Sequence, residues 1–212
     1  MVTSKAKNND WCRVRNQSLA VYARNAGYDL SAYHEYEPLV REALKKRTIA
    51  EAMKSISGIC EKKGFDFENV RSGVYVIAIA NPLSISYQKN RSQVLYIGCG
   101  SIYHRIKHHF NSKLFDFMLS VSGSNFDFYF AHAIRGDEAE YFNQVEFWMI
   151  DWFSQKHRKG EQTPQLPLMN KNIGVDKNLP DDDGWWAKPL KESGKKPLWE
   201  MKPTNFSEFQ LE

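Results

Sequence analysis

The sequence predicts an α+β fold, an α/β-sandwich-like arrangement in which a small, mostly antiparallel three-stranded central sheet is flanked by helices. Two observations indicate this class: an unbroken apolar run of strand length at residues 73–80, and amphipathic helical patterns on both sides of it. The 212 residues, 42% of them hydrophobic, are enough to bury one core. We expect a helical extension before the sheet and an irregular tail after it.

The first 70 residues are predicted to form the helical extension. One helix covers residues 18–25, and a second covers residues 35–46. Thr48 followed three residues later by Glu51 matches a capping box, which predicts that a third helix begins there. The apolar stripe of this third helix predicts packing on the sheet and no direct functional role.

Three strands are predicted for the sheet. The first covers residues 73–80 and is closed by Asn81-Pro82, and its continuous apolar run is typical of a strand buried on both faces. The second, residues 94–97, is expected to pair with the first in antiparallel orientation. Residues 126–134 are predicted to form the third strand.

Two more helices are predicted around the second and third strands. Ser101 is placed to cap the first of them, whose apolar residues recur every four positions. Asp137 and Glu140 match another capping box, for an almost wholly apolar helix that reaches about residue 157. The tail after Gly160 is rich in Pro, Lys and Trp without a clear period, which predicts loops and short pieces on the surface.

Composition excludes several classes of protein. The hydrophobic and charged fractions, 42% and 25%, are not those of a disordered or low-complexity chain. No stretch of about 18 apolar residues occurs and the first residues lack the apolar run of a secretory signal, so we expect a cytoplasmic, intracellular protein with no membrane partner. Three widely spaced cysteines argue against a disulfide framework and fit a reducing compartment.

Basic charge is concentrated in one segment. The formal net charge is only +4, yet residues 70–115 contain no Asp or Glu. The basic residues of this segment are Arg71, Lys89, Arg91, Arg105, Lys107 and Lys113. Three histidines lie in the same segment. A surface that approaches phosphates needs this absence of carboxylates, although a solvated basic face would have the same composition.

Two short signatures and four further residues carry a resemblance. The residues are Gly73-Val74-Tyr75 and Tyr96-Ile97-Gly98 on strands, Arg105 and His109 four apart on a helix, Glu146 on the later helix and Asn170 after a proline. In this order and on these elements, they resemble the GIY-YIG nuclease family over residues 72–173. The long gap before Asn170 makes Asn172 a competing assignment. Membership would imply an endonuclease that hydrolyses phosphodiester bonds.

The resemblance implies a role for each side chain. Tyr75 would be the general base or the phenol that orients the attacking water, with Tyr96 beside it and His109 assisting proton transfer. Arg105 and His109 project from one helix face, so both can address the same phosphate. The pKa of a free phenol is about 10, so we expect neighbouring positive charge to favour ionisation of Tyr75.

Glu146 is the predicted metal ligand. A carboxylate in a helix crowded with apolar residues is costly to bury without compensation, and a divalent cation compensates it. Mg²⁺ or Mn²⁺ is therefore the expected cofactor, with phosphate oxygens and water as further ligands. Cys99, His104 and His108 form a Cys-x4-His-x3-His alternative for zinc, but no fourth ligand is near in the sequence.

DNA is the expected partner. The segment between the first two strands carries Lys89 and Arg91 and is predicted to be an extended hairpin or loop that contacts DNA, together with Lys107 and Lys113. Restriction-type cleavage, and incision in repair or by mobile elements, both remain open, as do DNA against RNA and a homodimer against sequential nicks. The alternative function is a non-catalytic nucleic-acid-binding module on the same fold.

The predicted domain organisation has three parts. Residues 1–70 form the helical extension, residues 71–174 the nuclease-like domain, and residues 175–212 a tail packed on its surface. Because the nuclease-like part has few means of choosing a DNA sequence, we expect specificity to come from the flanking parts.

Overall fold

The computed structural model describes residues 9–160, 164–171 and 183–200. The strands are β1 (Cys12–Gln17), β2 (Gly73–Ile79), β3 (Leu83–Ser86), β4 (Arg91–Ser92), β5 (Val94–Gly100), β6 (Phe126–His132) and β7 (Lys196–Glu200). The helices are α1 (Leu19–Asn25), α2 (Pro38–Lys62), α3 (Ile102–His109), α4 (Phe115–Ser120) and α5 (Tyr141–His157). A π-helical turn, Phe110–Leu114, joins α3 to α4, and 3₁₀ turns cover Leu30–Glu35 and Trp185–Lys191.

The central sheet is antiparallel, with the strand order β1-β6-β2-β5. The predicted α+β class and its three strands are confirmed. The sheet has a fourth strand, β1, within the segment that was expected to be only helical. Its buried Cys12 and Val14 alternate with the more exposed Arg13 and Arg15, the pattern of a strand that is buried on one face.

The two faces of the sheet are covered by different helices. All seven residues of β2 are buried, as expected for a strand between two layers. Because side chains alternate, Tyr75 faces the opposite side from Val74. The hydrogen bond between Tyr75 and His109 places α3 on the face of the sheet that carries Tyr75. Helix α5 contacts β2 and β5 on the opposite face. Strand β5 is the edge strand beside β2.

The predicted break near Thr48 is wrong. Helix α2 is continuous from Pro38 to Lys62, and Thr48 lies inside it. The Thr48 hydroxyl donates to the carbonyl oxygen of Leu44, 2.8 Å away, and contacts the Tyr28 hydroxyl at 2.7 Å. A Thr that bonds to the carbonyl four residues earlier is compatible with a helix interior, so the capping pattern did not mark a start.

The other two predicted caps are also absent, although their helices exist. Ser101 precedes α3, but its hydroxyl accepts a hydrogen bond from Arg71 at 3.1 Å and makes no cap. Helix α5 begins at Tyr141, and Glu140 makes no side-chain cap. These helices are held by the burial of their apolar faces, which outweighs the local capping signals.

A second, smaller sheet joins the segment between β2 and β5 to the tail of the chain. Its strand order is β4-β3-β7, with β3 and β4 antiparallel and β3 and β7 parallel. The predicted hairpin between the first two strands of the main sheet is therefore confirmed. The tail is less irregular than predicted, because β7 and the 3₁₀ turn at Trp185–Lys191 give it regular structure.

Candidate active site

Two tyrosines and a histidine form what we call the phenol–imidazole cluster: Tyr75 on β2, Tyr96 on β5 and His109 at the end of α3. The Tyr75 hydroxyl lies 2.8 Å from His109 Nε2. The Tyr75 and Tyr96 rings stack with centroids 5.9 Å apart, and the imidazole centroid is 4.4 Å from that of Tyr96. Two strands and a helix thus bring three polar rings into direct contact.

Gly98 makes room for this contact. It lies opposite Tyr75 in the β2–β5 pairing. A Cβ atom at this position would collide with the Tyr75 hydroxyl and would lie 2.7 Å from Tyr96 Cε1. Any side chain here would have to displace one of the phenols, so the glycine of the second signature has a steric reason.

Burial sets the protonation of the cluster. His109 is 5% exposed, and burial together with the nearby charges of Lys113 and Arg105 lowers its pKa to about 3. The imidazole is therefore neutral at pH 7. Burial also raises the pKa of Tyr75 well above its usual value, and the neighbouring Tyr96 raises it further, while Arg105 lowers it. Both tyrosines are consequently protonated in the free protein.

The imidazole is not fully satisfied. Its Nδ1 atom is buried and has no hydrogen-bond partner among the described residues. When Nε2 accepts the Tyr75 proton, the imidazole's own proton must lie on Nδ1. A buried donor without an acceptor costs free energy, and among the described residues Ser84 Oγ and His157 Nε2 also lack a partner.

Arg105 supplies the positive charge at the mouth of the cluster. It lies one turn before His109 on α3, is exposed, and donates from Nε to the carbonyl oxygen of Cys99 at 3.2 Å. This bond uses one of its five N–H groups, and the guanidinium also hydrogen-bonds to the Tyr75 side chain. The pKa of Arg105 is raised by nearby Tyr75 and Tyr96, although burial opposes the shift. Because the side chain is exposed, an anionic ligand can approach its outer N–H groups.

Glu146 approaches from the other side of β5. It lies on α5 and accepts a hydrogen bond from the Cys99 thiol, with Oε2 and Sγ 3.0 Å apart. Burial raises the pKa of its carboxyl group, while Cys99 and Arg105 lower it. Among the residues that the structure describes, no Lys, Arg or His forms an ion pair with this carboxylate. A half-buried acid without a cationic partner fits a divalent cation.

The predicted zinc alternative is not formed. No group of three or more His, Cys, Asp or Glu side chains suited to a metal occurs within residues 9–160, 164–171 and 183–200. Cys99 is buried against Glu146, whereas His104 and His108 are exposed on α3. A Mg²⁺ or Mn²⁺ ion would need only the Glu146 carboxylate from the protein, with water and phosphate oxygens as its other ligands.

Asn170 lies beside the site and holds its edge strand. Its side-chain oxygen accepts from the Ile97 amide at 2.9 Å, and its nitrogen donates to the Ile97 carbonyl at 2.8 Å. The backbone amide of Met169 also donates to this strand, to the carbonyl oxygen of Leu95. The side chain therefore occupies the free hydrogen-bonding edge of β5. Asn172, the competing assignment, lies outside the described residues.

The four predicted DNA contacts lie in different places. Lys89, Arg91 and Lys107 are exposed. Arg91, which lies in β4 of the small sheet, donates to the Lys195 carbonyl oxygen just before β7, 3.2 Å away. Lys113 lies in the π-helical turn with Nζ 4.4 Å from the centre of the Tyr96 ring, and it donates to the Met169 carbonyl at 2.6 Å. Lys113 is thus next to the phenol–imidazole cluster.

Sequence reasoning missed two residues of the site. The sequence pattern assigns Cys99 only to the zinc alternative and gives Asn143 no role, yet the Cys99 sulfur lies 3.3 Å from Asn143 Oδ1. The i, i+3 spacing of Asn143 and Glu146 on α5 was the available signal. Nothing in the sequence indicated that β5 would bring Cys99 to that face of the helix.

No family model, curated protein or solved structure matches this chain. The described helices include none with the length and hydrophobicity that crossing a bilayer requires.

Proposed function

We propose that this protein is a divalent-metal-dependent DNA endonuclease with a GIY-YIG-type active site. One observation carries the proposal: the Tyr75 hydroxyl is bonded to a neutral, buried imidazole, and the Arg105 and Glu146 charges both act on that same hydroxyl. Phosphodiester hydrolysis needs a group that takes a proton from water and positive charge for the phosphorane-like transition state. This arrangement provides the first from Tyr75 and His109 and the second from Arg105.

Tyr75 and His109 would act as a proton relay. The pKa of Tyr75 is too high for a phenolate to exist in the free protein. An attacking water would therefore pass its proton to the Tyr75 oxygen as the phenol proton moves to His109 Nε2. The imidazole is neutral at pH 7 and so has a free electron pair for that proton. Tyr96 and Gly98 keep the phenol in position.

Arg105 would bind the phosphate, and Glu146 would hold the cation beside it. The guanidinium is exposed, and its fork geometry matches the non-bridging oxygens of a phosphodiester. Mg²⁺ or Mn²⁺ held by Glu146 would supply Lewis-acid charge to the phosphate and the leaving group. Glu146 and Arg105 approach from α5 and α3, so the scissile phosphate would lie across edge strand β5.

DNA is the proposed substrate because of the surroundings of the site. The segment from residue 70 to residue 115 forms β2 to β5 and α3, and it contains no carboxylate that would repel a phosphate backbone. Its exposed cations, Lys89, Arg91 and Lys107, are sequence-independent contacts in this proposal. One site per chain requires either a homodimer or two sequential nicks for double-strand cleavage.

A plasmid-nicking assay tests the proposal. We expect the protein to relax supercoiled DNA in Mg²⁺ or Mn²⁺. Arg105→Ala should lower the nicking rate about 10²- to 10³-fold because it removes transition-state charge stabilisation. Glu146→Gln should lower it at least as much because it removes the cation ligand. Sequencing of the cut ends then defines specificity, and the same assay on RNA defines the preference for nucleic acid.

Matched controls come from the same helices or the same residue type. Asp151→Asn changes another α5 carboxylate, which accepts a hydrogen bond from Gln155, and Arg24→Ala removes an exposed arginine of α1. Both should nick at the wild-type rate. Unchanged nicking by Glu146→Gln or Arg105→Ala would refute the site. DNA binding without cleavage in any cation would favour the alternative, a non-catalytic nucleic-acid-binding module.

A further inference from the structure

Three atoms that can act as metal ligands lie close together on the α5 side of β5. The Cys99 sulfur lies 3.0 Å from Glu146 Oε2 and 3.3 Å from Asn143 Oδ1. Asn143 and Glu146 are one turn apart on α5 and present their oxygens to the same sulfur. A thiol has one proton, so Cys99 cannot donate a full hydrogen bond to both oxygens. The trio is a set of one sulfur and two oxygens without enough protons to satisfy it.

These spacings suit a bound cation. With metal–sulfur and metal–oxygen bonds of about 2.3 and 2.1 Å, the two ligand atoms are about 3.1–3.6 Å apart at bond angles of about 90–110°. The distance to Asn143, 3.3 Å, lies within that range and the distance to Glu146, 3.0 Å, lies just below it, so small side-chain shifts admit an ion. Glu146 and Asn143 are half-buried and give the ion a path from solvent, whereas Cys99 is 7% exposed.

We propose that Cys99, Asn143 and Glu146 form a mixed sulfur–oxygen site that binds thiophilic cations such as Zn²⁺ and Cd²⁺ in preference to Mg²⁺. The inference rests on the proposed function in placing the cation at Glu146. Thiolate ligands select soft or borderline cations, whereas Mg²⁺ prefers oxygen. On binding, the S–H bond breaks, a sulfur–metal bond forms, and the proton leaves to the buffer.

The site therefore gives Cys99 a role in choosing the cation. With Mg²⁺, which uses oxygen ligands, the thiol stays protonated and bonded to Glu146. Zn²⁺ or Cd²⁺ recruits the sulfur as well and excludes Mg²⁺ from the same carboxylate. Micromolar Zn²⁺ or Cd²⁺ should then inhibit Mg²⁺-dependent nicking, and Cys99 should determine the cation concentration at which inhibition occurs.

Cd²⁺ titration of the metal-free full-length protein tests the proposal directly. The reductant must be free of thiols, and the readout is the ultraviolet sulfur-to-cadmium charge-transfer band. We expect one equivalent of Cd²⁺ to produce the band in the wild type and in Cys12→Ser, but not in Cys99→Ser. Glu146→Gln should keep the sulfur but raise the apparent Kd at least about tenfold. Cys12→Ser is the matched control because it disrupts the other thiol pair, Cys12 and Cys60, whose sulfurs lie 3.8 Å apart.

The outcomes separate the two proposals. A missing band in the wild type, or an unchanged band in Cys99→Ser, overturns the mixed site. The proposed function survives the failure of the mixed site if the wild type nicks DNA in Mg²⁺ and Glu146→Gln does not. If the Cd²⁺ band depends on Cys99 and Glu146 but no cation supports nicking, the mixed site stands and the endonuclease proposal fails.

Discussion

Two regions of the molecule each pair a buried tyrosine with a buried histidine. In the phenol–imidazole cluster, Tyr75 and His109 bond to each other. In what we call the small-sheet cluster, Tyr87, Phe153 and His157, the Tyr87 and His157 rings also touch, with centroids 5.5 Å apart. Burial lowers the pKa of both histidines, to about 3 for His109 and about 4 for His157.

The clusters differ in the partners of their polar atoms. The Tyr87 hydroxyl donates to the Val94 carbonyl and accepts from the Leu168 amide, and His157 Nδ1 contacts the Asn90 carbonyl at 3.1 Å. Backbone partners fix loops to strands, so this cluster is structural. Tyr75 and His109 instead bond side chain to side chain beside Arg105. Such a pair joins two titratable side chains, which is the arrangement that the proposed proton relay needs.

The largest expected difference is in catalysis. Tyr75→Phe should lower the nicking rate about 10²- to 10⁴-fold, because the proton relay loses its oxygen. Tyr87→Phe should leave the nicking rate unchanged but lower the free energy of unfolding by about 1–3 kcal/mol, because two backbone groups lose their buried partner. Plasmid nicking and urea unfolding of both variants measure the contrast. Equal nicking by Tyr75→Phe and Tyr87→Phe would remove the distinction between the clusters.

Two crowded glycines give the next comparison. Gly98→Ala should cost about 1–3 kcal/mol of stability by overpacking and should lower nicking about 10²-fold by displacing Tyr75. Gly194 lies before β7 with φ +66°, and its Cβ would be 2.7 Å from the Ser84 Cβ. Gly194→Ala should therefore reduce stability similarly, while the folded fraction keeps its nicking rate.

Thermal unfolding and nicking at a temperature where both glycine variants are folded separate the two effects. Gly58→Ala is the control, because a Cβ at that position in α2 meets nothing within 4 Å. Full activity in folded Gly98→Ala would show that the phenols tolerate displacement.

The last expected effect, which is absent at neutral pH, is on the pH dependence of stability. Both histidines have folded pKa values below the unfolded value of about 6.5, so the unfolded chain binds more protons as the pH falls. Their contribution to stability is complete above about pH 6.5 and is lost as the pH falls toward 3–4. Each histidine should add a slope of up to about 1.4 kcal/mol per pH unit in that window.

Replacing either histidine should remove one proton from the difference in proton binding between the unfolded and folded states, and should therefore reduce the slope of stability against pH. We expect His109→Gln and His157→Gln to have equal effects in urea unfolding between pH 6.5 and 4.5. Only His109→Gln should also slow nicking at pH 7.5. An unchanged slope for either variant would mean that this histidine is already protonated in the folded protein near pH 6.5.

Local sequence patterns predicted the elements well where burial and periodicity agreed. The continuous apolar run of β2, its antiparallel pairing with β5 and the helices after residue 100 are confirmed. Capping signals were weaker evidence, and the break at Thr48 was wrong because a hydroxyl can bond within its own helix. Strand β1 was missed because two arginines in six residues obscure a half-buried alternation.

The sequence by itself determined which chemical groups this protein has and on which elements they lie: two phenols on strands, a guanidinium and an imidazole one helical turn apart, and an acid in an apolar helix. Helical and strand periods fix these placements within one element. Tertiary structure alone decided that Gly98 admits the phenols, that Cys99 and Asn143 meet Glu146, and that Asn170 bonds the edge of β5. These contacts join residues far apart in the chain, and only the packing of α3 and α5 on opposite faces of one edge strand sets their distances.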